Sequence, residues 1–216
     1  MSPAALRAAY LTKGYALIPA LLPREEATRL LATMKDDFAS EGDPLDDQLR
    51  HPSVLVRPAI EVYGYRYPPL NALHWSLTRT IADQVGAHLL PTYCYFRIYR
   101  EGDICRVHCD RNACEHSVSL TLAYSDERPW AFEIATARAE LPCGRADEDF
   151  GPDDKAEATM MQPGDGVLYQ GIHHYHARTT PNPNAWSAHL FLHWVSRDGP
   201  YADQAFDGKI PLDGWR

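Results

Sequence analysis

The chain lacks a long hydrophobic run, an excess of positive charge and a paired set of cysteines, and each shortage argues against a class of protein. No stretch of about 18 apolar residues occurs, so we expect no membrane span. The first residues lack the apolar run and cleavage site of a secretory signal, so we expect no secretion. The 21 basic residues are outnumbered by 29 acidic ones, and the net charge of −8 argues against a general nucleic-acid binder.

Cysteine is present five times, an odd number for a disulfide framework. The spacing of Cys105, Cys109 and Cys114 matches neither paired zinc knuckles nor the cysteine run of an iron–sulfur site. We therefore interpret these residues as thiols in a reducing compartment, which predicts a cytoplasmic protein. Cys109 should point away from His108 and Asp110, because neighbours on a strand face opposite sides.

Apolar residues make up 45% of the chain, enough for a core. They recur first at helical spacing, which predicts helices over Arg24–Phe38 and Leu73–Leu89. A short strand is predicted over 14–19, and loops over 41–70. Later segments alternate or are rich in aromatic and β-branched residues, and the strands they predict cover 93–99, 104–110, 117–124, 130–134, 167–169 and 186–195. The charged stretch 136–158 should be a surface excursion.

Helices followed by many short strands predict a β-sandwich or barrel with a helical buttress. A length of 216 residues suits one domain. We predict a helical buttress with loops over 1–90, a β core over 91–196 and a C-terminal tail over 197–216.

Two short motifs resemble the halves of one metal site. The first is the His-x-Asp pair formed by His108 and Asp110, at the end of a predicted strand. The second is a histidine-rich segment that contains His173, His174 and His176. Two imidazoles and one carboxylate are the ligands of non-haem Fe(II) oxygenases, in which the rest of the coordination sphere stays open.

With these motifs in order, the chain resembles the 2-oxoglutarate- and Fe(II)-dependent dioxygenases of the prolyl-hydroxylase and phytanoyl-CoA-hydroxylase type. The resemblance covers most of the chain and implies a double-stranded β-helix core, the jelly-roll or cupin-like fold. Three segments carry it: Gly14-Tyr15 to Glu26, Tyr99…Gly102…His108-x-Asp110, and Pro163-Gly164-Asp165…Tyr169…Gly171…His176-x-Arg178.

The resemblance implies that His108, Asp110 and His176 bind Fe(II), with 2-oxoglutarate and O₂ as cosubstrates. It implies hydroxylation of an unidentified small-molecule or peptide substrate, with release of succinate and CO₂. His176 is preferred as the distal ligand because similar sequences place that ligand two residues before an arginine. His174 is the alternative, since it shares a strand face with His176.

The anchor of the far carboxylate of 2-oxoglutarate departs from the family pattern. Many members place an arginine or lysine roughly ten residues after the distal histidine, and this chain has no basic residue there. A buried carboxylate needs a charge-assisted partner. Arg178 and Arg97 rank equally for this role, above Arg106, and Tyr124 is a candidate hydrogen-bond donor.

Two alternatives remain open at this point. One is a cupin-like metalloprotein that acts without 2-oxoglutarate, which the irregular anchor favours. The other is a non-catalytic binding protein on the same fold. The groups that orient the metal ligands are not assigned, and the candidates are Glu115, His116 and Ser119. The sequence does not indicate an oligomeric state.

Overall fold

The computed structural model describes residues 2–141 and 146–209, and the rest of the predicted C-terminal tail lies outside them. The helices of this part are α1 Pro3–Lys13, α2 Arg24–Ser40 and α3 Pro68–Val85. The strands are β1 Tyr15–Ile18, β2 Leu49–Arg50, β3 Ala59–Tyr63, β4 Leu89–Arg100, β5 Cys105–His108, β6 His116–Tyr124, β7 Phe132–Ala135, β8 Ala156–Thr159, β9 Gly166–Tyr169, β10 His176–Arg178 and β11 Trp186–Ser196.

The strands form two antiparallel sheets. The larger sheet has seven strands in the order β1-β9-β6-β11-β4-β3-β2, and the smaller has four in the order β5-β10-β7-β8. The prediction of a mainly β protein with N-terminal helices is confirmed. Strands β1, β2 and β3 come from the first 90 residues, yet they join the larger sheet.

Alternate residues of the larger sheet have different surroundings. On β6 and β11 most of the even-numbered side chains, among them Leu120 and Leu190, belong to the hydrophobic core that the three helices cover. Odd-numbered side chains of the same strands, such as Ser117, His189 and Phe191, point the other way. The helices thus cover one face of this sheet, and the smaller sheet lies over the other.

The ends of α3 differ from the predicted ones. The helix begins at Pro68, five residues before the predicted start at Leu73, because proline is well suited to the first turn of a helix. It ends at Val85, since Gly86 adopts a left-handed φ of 81° and its N–H returns to the Ala82 carbonyl.

Two predicted loop regions contain strands. β3 lies inside the predicted loop region 41–70, and β8 lies inside the excursion at 136–158. β3 shows no alternation because Ile60, Glu61 and Val62 are all buried. Glu61 tolerates this burial because it forms an ion pair with Arg97 on the neighbouring strand.

The interpretation of the cysteines is wrong for Cys109, which forms a disulfide. The other cysteines that the structure describes, Cys94, Cys105 and Cys114, are buried and free. A strand that reaches 110 is also wrong, because β5 ends at His108. Within the described part of the chain, no helix combines the length and apolarity needed to cross a bilayer. The cytoplasmic location stays a prediction.

His116 connects the helical layer to the larger sheet. The Tyr10 hydroxyl of α1 lies 2.6 Å from His116 Nδ1, and Ser196 Oγ lies 3.0 Å from Nε2. Burial lowers the pKa of His116 to about 4. The folded protein therefore keeps this ring neutral at pH values where the unfolded chain protonates it.

We expect the free energy of unfolding to fall as the pH is lowered from 7 to 5, because only the unfolded state gains a proton at His116. The contribution of this residue to the slope near pH 5 is about 1 kcal/mol per pH unit. Urea titrations at several pH values measure it. His116→Gln should flatten the dependence and His51→Gln, at an exposed position, should leave it unchanged; equal slopes in all three proteins would contradict the assignment.

Candidate metal centre

The register of the smaller sheet places two of the predicted ligands opposite each other. His176 on β10 pairs directly with His108 on β5, and the centroids of their rings are 4.4 Å apart. Asp110 follows two residues after β5 and is held by its backbone N–H, which donates to the Gly171 carbonyl at 2.9 Å. The structure therefore brings together the three residues that the sequence singled out.

The donor atoms of these residues converge on one point. Asp110 Oδ2 lies 3.6 Å from His176 Nε2, and Oδ1 lies 3.7 Å from His108 Nε2. Nδ1 of His108 donates to the Arg106 carbonyl at 2.7 Å, and Nδ1 of His176 donates to the His174 carbonyl at 2.9 Å. Each ring thus presents its Nε2 lone pair to the carboxylate side, as a metal-binding imidazole must.

One oxygen atom of the Asp110 carboxylate is buried without a hydrogen bond. This atom, Oδ2, accepts none from any residue that the structure describes. A buried carboxylate oxygen without a partner is costly, so this atom fits a bound cation. The set of two imidazole nitrogens and one carboxylate oxygen is the set that suits Fe(II).

Electrostatics keeps these ligands in the protonation states that metal binding needs. Burial lowers the pKa of His108 to about 4, and the neighbouring His176 adds to the effect, so the His108 ring is neutral at pH 7. Burial alone would raise the pKa of the Asp110 carboxyl. The imidazoles of His176 and His108 outweigh this and hold that pKa well below its usual range.

A cavity opens beside the three ligands, between the two sheets. The smaller sheet contributes Phe132 and Arg178 to its wall, and the larger sheet contributes Tyr95, Arg97, Phe191 and Tyr169. Phenylalanine and tyrosine rings share this wall with polar groups, and the two arginines are the cationic groups that the described lining contains. The cavity therefore combines aromatic surface with positive charge next to the ligand cluster.

Arg97 already has an acidic partner. Its Nε donates to Glu61 Oε1 at 2.6 Å, and Nη1 donates to the Tyr99 hydroxyl at 3.0 Å. Glu61 and Arg97 are both buried, so each compensates the charge of the other. This arrangement leaves little of the Arg97 charge for a ligand.

Arg178 has no such partner among the described residues. Its exposure is 2%, Nη1 donates to the Trp130 carbonyl at 2.5 Å, and Nη2 lies 3.4 Å from His189 Nδ1. The guanidinium lies over the Trp130 ring, 4.8 Å from its centroid. A buried guanidinium with only neutral contacts is costly and attracts an anion. The geometry therefore separates two arginines that the sequence ranked equally.

The remaining candidates point elsewhere. Arg106 donates to the carbonyls of Ser53 and Leu55, away from the cavity. The Tyr124 hydroxyl donates to the Met161 carbonyl at 3.0 Å, and Tyr124 does not line the cavity.

His174 is separate from the cluster. Its Nδ1 donates to the Ala135 carbonyl at 2.9 Å, and its ring lies edge-on to Tyr15. The sequence reasoning that paired His174 with His176 assumed an extended segment, but β10 begins only at His176. The geometry therefore favours His176 as the distal ligand.

The residues proposed to orient the ligands make other contacts. Glu115 accepts from the Ser196 backbone N–H at 2.7 Å, and His116 bonds to Tyr10 and Ser196. The hydroxyl of Ser119 is buried without a hydrogen bond in the described structure.

Gly171 is a site residue whose role the sequence reasoning missed. A Cβ atom added there would overlap Asp110 Oδ2 and would lie 2.9 Å from the Cys114 carbonyl and from Ser117 Oγ. Only glycine lets the backbone approach the carboxylate this closely. The glycine in the run before His176 was the available signal, but its contact with Asp110 depends on two distant segments.

Solved structures with the same fold include iron- and 2-oxoglutarate-dependent proteins. A prolyl-4-hydroxylase from Pseudomonas putida is 16% identical, with a TM-score of 0.55, and the match covers 89% of this chain and 98% of that one. The α-ketoglutarate-dependent carbocyclase SnoK from nogalamycin biosynthesis is 15% identical, with a TM-score of 0.67 and coverage of 90% and 84%. HygX from Streptomyces hygroscopicus, solved with nickel, 2-oxoglutarate and hygromycin B, is 14% identical, with a TM-score of 0.62 and coverage of 90% and 87%.

These likenesses confirm the double-stranded β-helix fold and the resemblance to 2-oxoglutarate- and Fe(II)-dependent oxygenases at the level of architecture. No family model and no curated protein sequence matches the chain. At this level of identity the comparisons establish the fold alone.

We expect Gly171→Ala to weaken metal binding about 10- to 100-fold, because the new methyl group displaces the Asp110 carboxylate. Titration of metal-free protein with Co(II), followed by its visible absorbance, measures the affinity. Gly42→Ala is the control: its φ of 71° makes alanine strained, but a Cβ there meets nothing within 4 Å. It should lower stability and leave Co(II) binding unchanged. Equal Co(II) affinities in the two variants would refute the proposed contact.

Proposed function

We propose that this protein is a non-haem Fe(II) oxygenase that uses 2-oxoglutarate to hydroxylate a small polar substrate. The observation that carries the proposal is one cavity that contains both a His-His-Asp cluster and a buried arginine with no acidic partner among the described residues. The cluster suits the metal, and the arginine suits the free carboxylate of a dicarboxylic keto acid.

His108, Asp110 and His176 would hold the iron. When bound, iron and 2-oxoglutarate supply the oxidative chemistry, with O₂ as oxidant and succinate and CO₂ as coproducts. The contribution of the chain is to keep two imidazoles and one carboxylate pointing at the same place. The backbone carbonyls of Arg106 and His174 do this by fixing the orientation of the two rings.

Arg178 would bind the far carboxylate of 2-oxoglutarate. It lies two residues after His176 on β10, so both side chains leave the same face of the strand. The contact of its guanidinium with the Trp130 ring and carbonyl fixes the direction of the N–H groups. Because the guanidinium is buried, an ion pair with a carboxylate is little screened by solvent.

The aromatic wall of the cavity would keep water from the reacting atoms. Tyr95 stacks on Phe191 with centroids 4.8 Å apart, and Phe132 stacks on His176 at 5.8 Å. Rings fixed by stacking leave few positions for solvent beside the ligand cluster.

A second cleft supports a polar substrate. It shares Asp110 with the cavity, has a volume of about 590 Å³ and is lined in part by Arg111, Asn112, Tyr201 and Gln204. Arg111 is neutralised by Asp207 at 2.5 Å, so the lining offers hydrogen bonds more than net charge. A hydroxyl- or amide-bearing molecule would satisfy these groups, and the structure of HygX with hygromycin B bound supports a small-molecule substrate.

The test of the metal and cosubstrate is anaerobic. Fe(II) and then 2-oxoglutarate are added to metal-free protein, and the weak visible charge-transfer band of the chelate is recorded. We expect the band in the wild type and its loss in Asp110→Ala, which removes one of three ligands. Iron binding without a band would favour a metalloprotein that acts without 2-oxoglutarate. Stoichiometric iron in Asp110→Ala would refute the ligand set.

Arg178→Ala should raise the dissociation constant for 2-oxoglutarate about 10- to 100-fold, since a hydrogen bond to a charged group contributes about 1.5–3 kcal/mol. Titration of the same band measures this constant, and Arg178→Lys should recover part of the affinity. Arg106→Ala, which removes a guanidinium outside the cavity, is the control. An unchanged constant in Arg178→Ala protein that still binds Fe(II) would transfer the anchor to Arg97.

A further inference from the structure

A pair of polar residues lies next to Asp110 that neither the predicted ligands nor the proposed cosubstrate contacts include. His193 of β11 is the register partner of Ser117 of β6. Ser117 Oγ lies 2.8 Å from His193 Nδ1, and both residues are buried. The His193 ring also packs on Tyr93, with centroids 4.6 Å apart, which limits its rotation.

Two buried atoms near this pair have no hydrogen bond from any residue in the described segments. They are His193 Nε2 and Asp110 Oδ2. The ligand-capable atoms of Asp110 and His193 lie within 4.8 Å of each other. Two unsatisfied polar atoms at neighbouring buried positions are costly separately, and an N–H dipole directed at a carboxylate lowers the cost of both by electrostatic attraction.

The hydrogen on His193 can be assigned from its contacts. The Ser117 hydroxyl lies 2.8 Å from His193 Nδ1 but 3.4 Å from the Cys114 carbonyl. A hydroxyl that donates to Nδ1 across the shorter contact places the hydrogen of the neutral ring on Nε2, and this is the tautomer that the inference uses. The opposite tautomer would turn a nitrogen lone pair toward the Asp110 carboxylate, which is repulsive.

We propose that His193, oriented by Ser117, is a positioning residue whose Nε2–H is directed at the Asp110 carboxylate, within 4.8 Å, and attracts the carboxylate into the position that metal binding needs. The inference rests on the proposed metal site but not on 2-oxoglutarate. Gly171 lies against the Asp110 carboxylate and against Ser117, so both Gly171 and His193 limit the positions that the carboxylate can take. Buried and neutral, His193 attracts the carboxylate without adding a positive charge beside the metal.

A rival interpretation of the same atoms is a second cation site. Asp110, Cys114 and His193 also form a group whose ligand-capable atoms lie within 4.8 Å of one another. Cys114 Sγ, however, is already in contact with the Tyr93 hydroxyl at 3.2 Å, and burial raises the pKa of its thiol well above the usual value. A protonated, hydrogen-bonded thiol is a poor ligand, so one metal per chain is expected.

The test is the binding of Co(II) to metal-free protein without 2-oxoglutarate, measured by the visible absorbance of the ion and by calorimetry. His193→Phe should weaken Co(II) binding about 10- to 100-fold and change the absorbance, because the N–H directed at the carboxylate is lost. His193→Gln keeps a donor N–H at a similar position and should recover part of the affinity. Ser117→Ala should have a smaller effect in the same direction. His74→Gln, at a buried histidine against Trp194 outside the site, is the matched control.

Each outcome decides the inference. Wild-type affinity and spectrum in folded His193→Phe protein would overturn the role of His193 and leave the metal site intact. Two Co(II) ions per wild-type chain would overturn it in favour of the second cation site. No Co(II) binding by the wild type would overturn both this inference and the proposed function. Weakened binding in His193→Phe that His193→Gln does not recover would indicate packing alone and would also overturn it.

Discussion

The antiparallel pairing of β5 with β10 is the constraint on which the candidate site depends. Its register sets His108 directly opposite His176, so the two imidazoles meet through backbone hydrogen bonds between strands far apart in sequence. The turn that contains Gly171 then returns the chain against Asp110. A shift of one residue in this register would move His176 to the other face of its strand and away from His108 and Asp110. The ligand geometry is therefore fixed by the sheet before any metal binds.

The candidate site also depends on the larger sheet, because the two faces of this sheet carry different kinds of side chain. Residues such as Leu120 and Leu190 pack beneath the helices and supply most of the hydrophobic stabilisation. The opposite face is then free to carry residues that a core would not accept, among them Arg97, His189 and His193. Burying such groups costs stability unless they are paired. The main hydrophobic core lies on one side of the sheet, and the candidate metal centre lies on the other.

The charged groups of the cavity fall into two kinds: those that form an ion pair with each other, and those without an oppositely charged neighbour that a ligand could complement. Glu61 and Arg97 neutralise each other, and they allow β3 to be buried along its length. Arg178 has only neutral partners in the described structure, and the Asp110 Oδ2 atom accepts no hydrogen bond there. A cation at Asp110 and an anion at Arg178 would satisfy both, and a metal with a keto acid provides the two charges together. Preorganised but unsatisfied polar groups of this kind are typical of binding sites.

The sequence by itself predicted the ligand types and their order, and it determined the helix over Arg24–Phe38 and the mainly β class, because these depend on local spacing and periodicity. It also kept Arg97 and Arg178 as equal candidates, and it left Gly171 and His193 unassigned. Only the tertiary structure showed the surroundings of these residues, since each contacts a segment distant in sequence: Glu61 for Arg97, Asp110 for Gly171 and Ser117 for His193. Side-chain alternation within a strand can be read from a sequence, whereas register between distant strands is set by the packing of the whole fold.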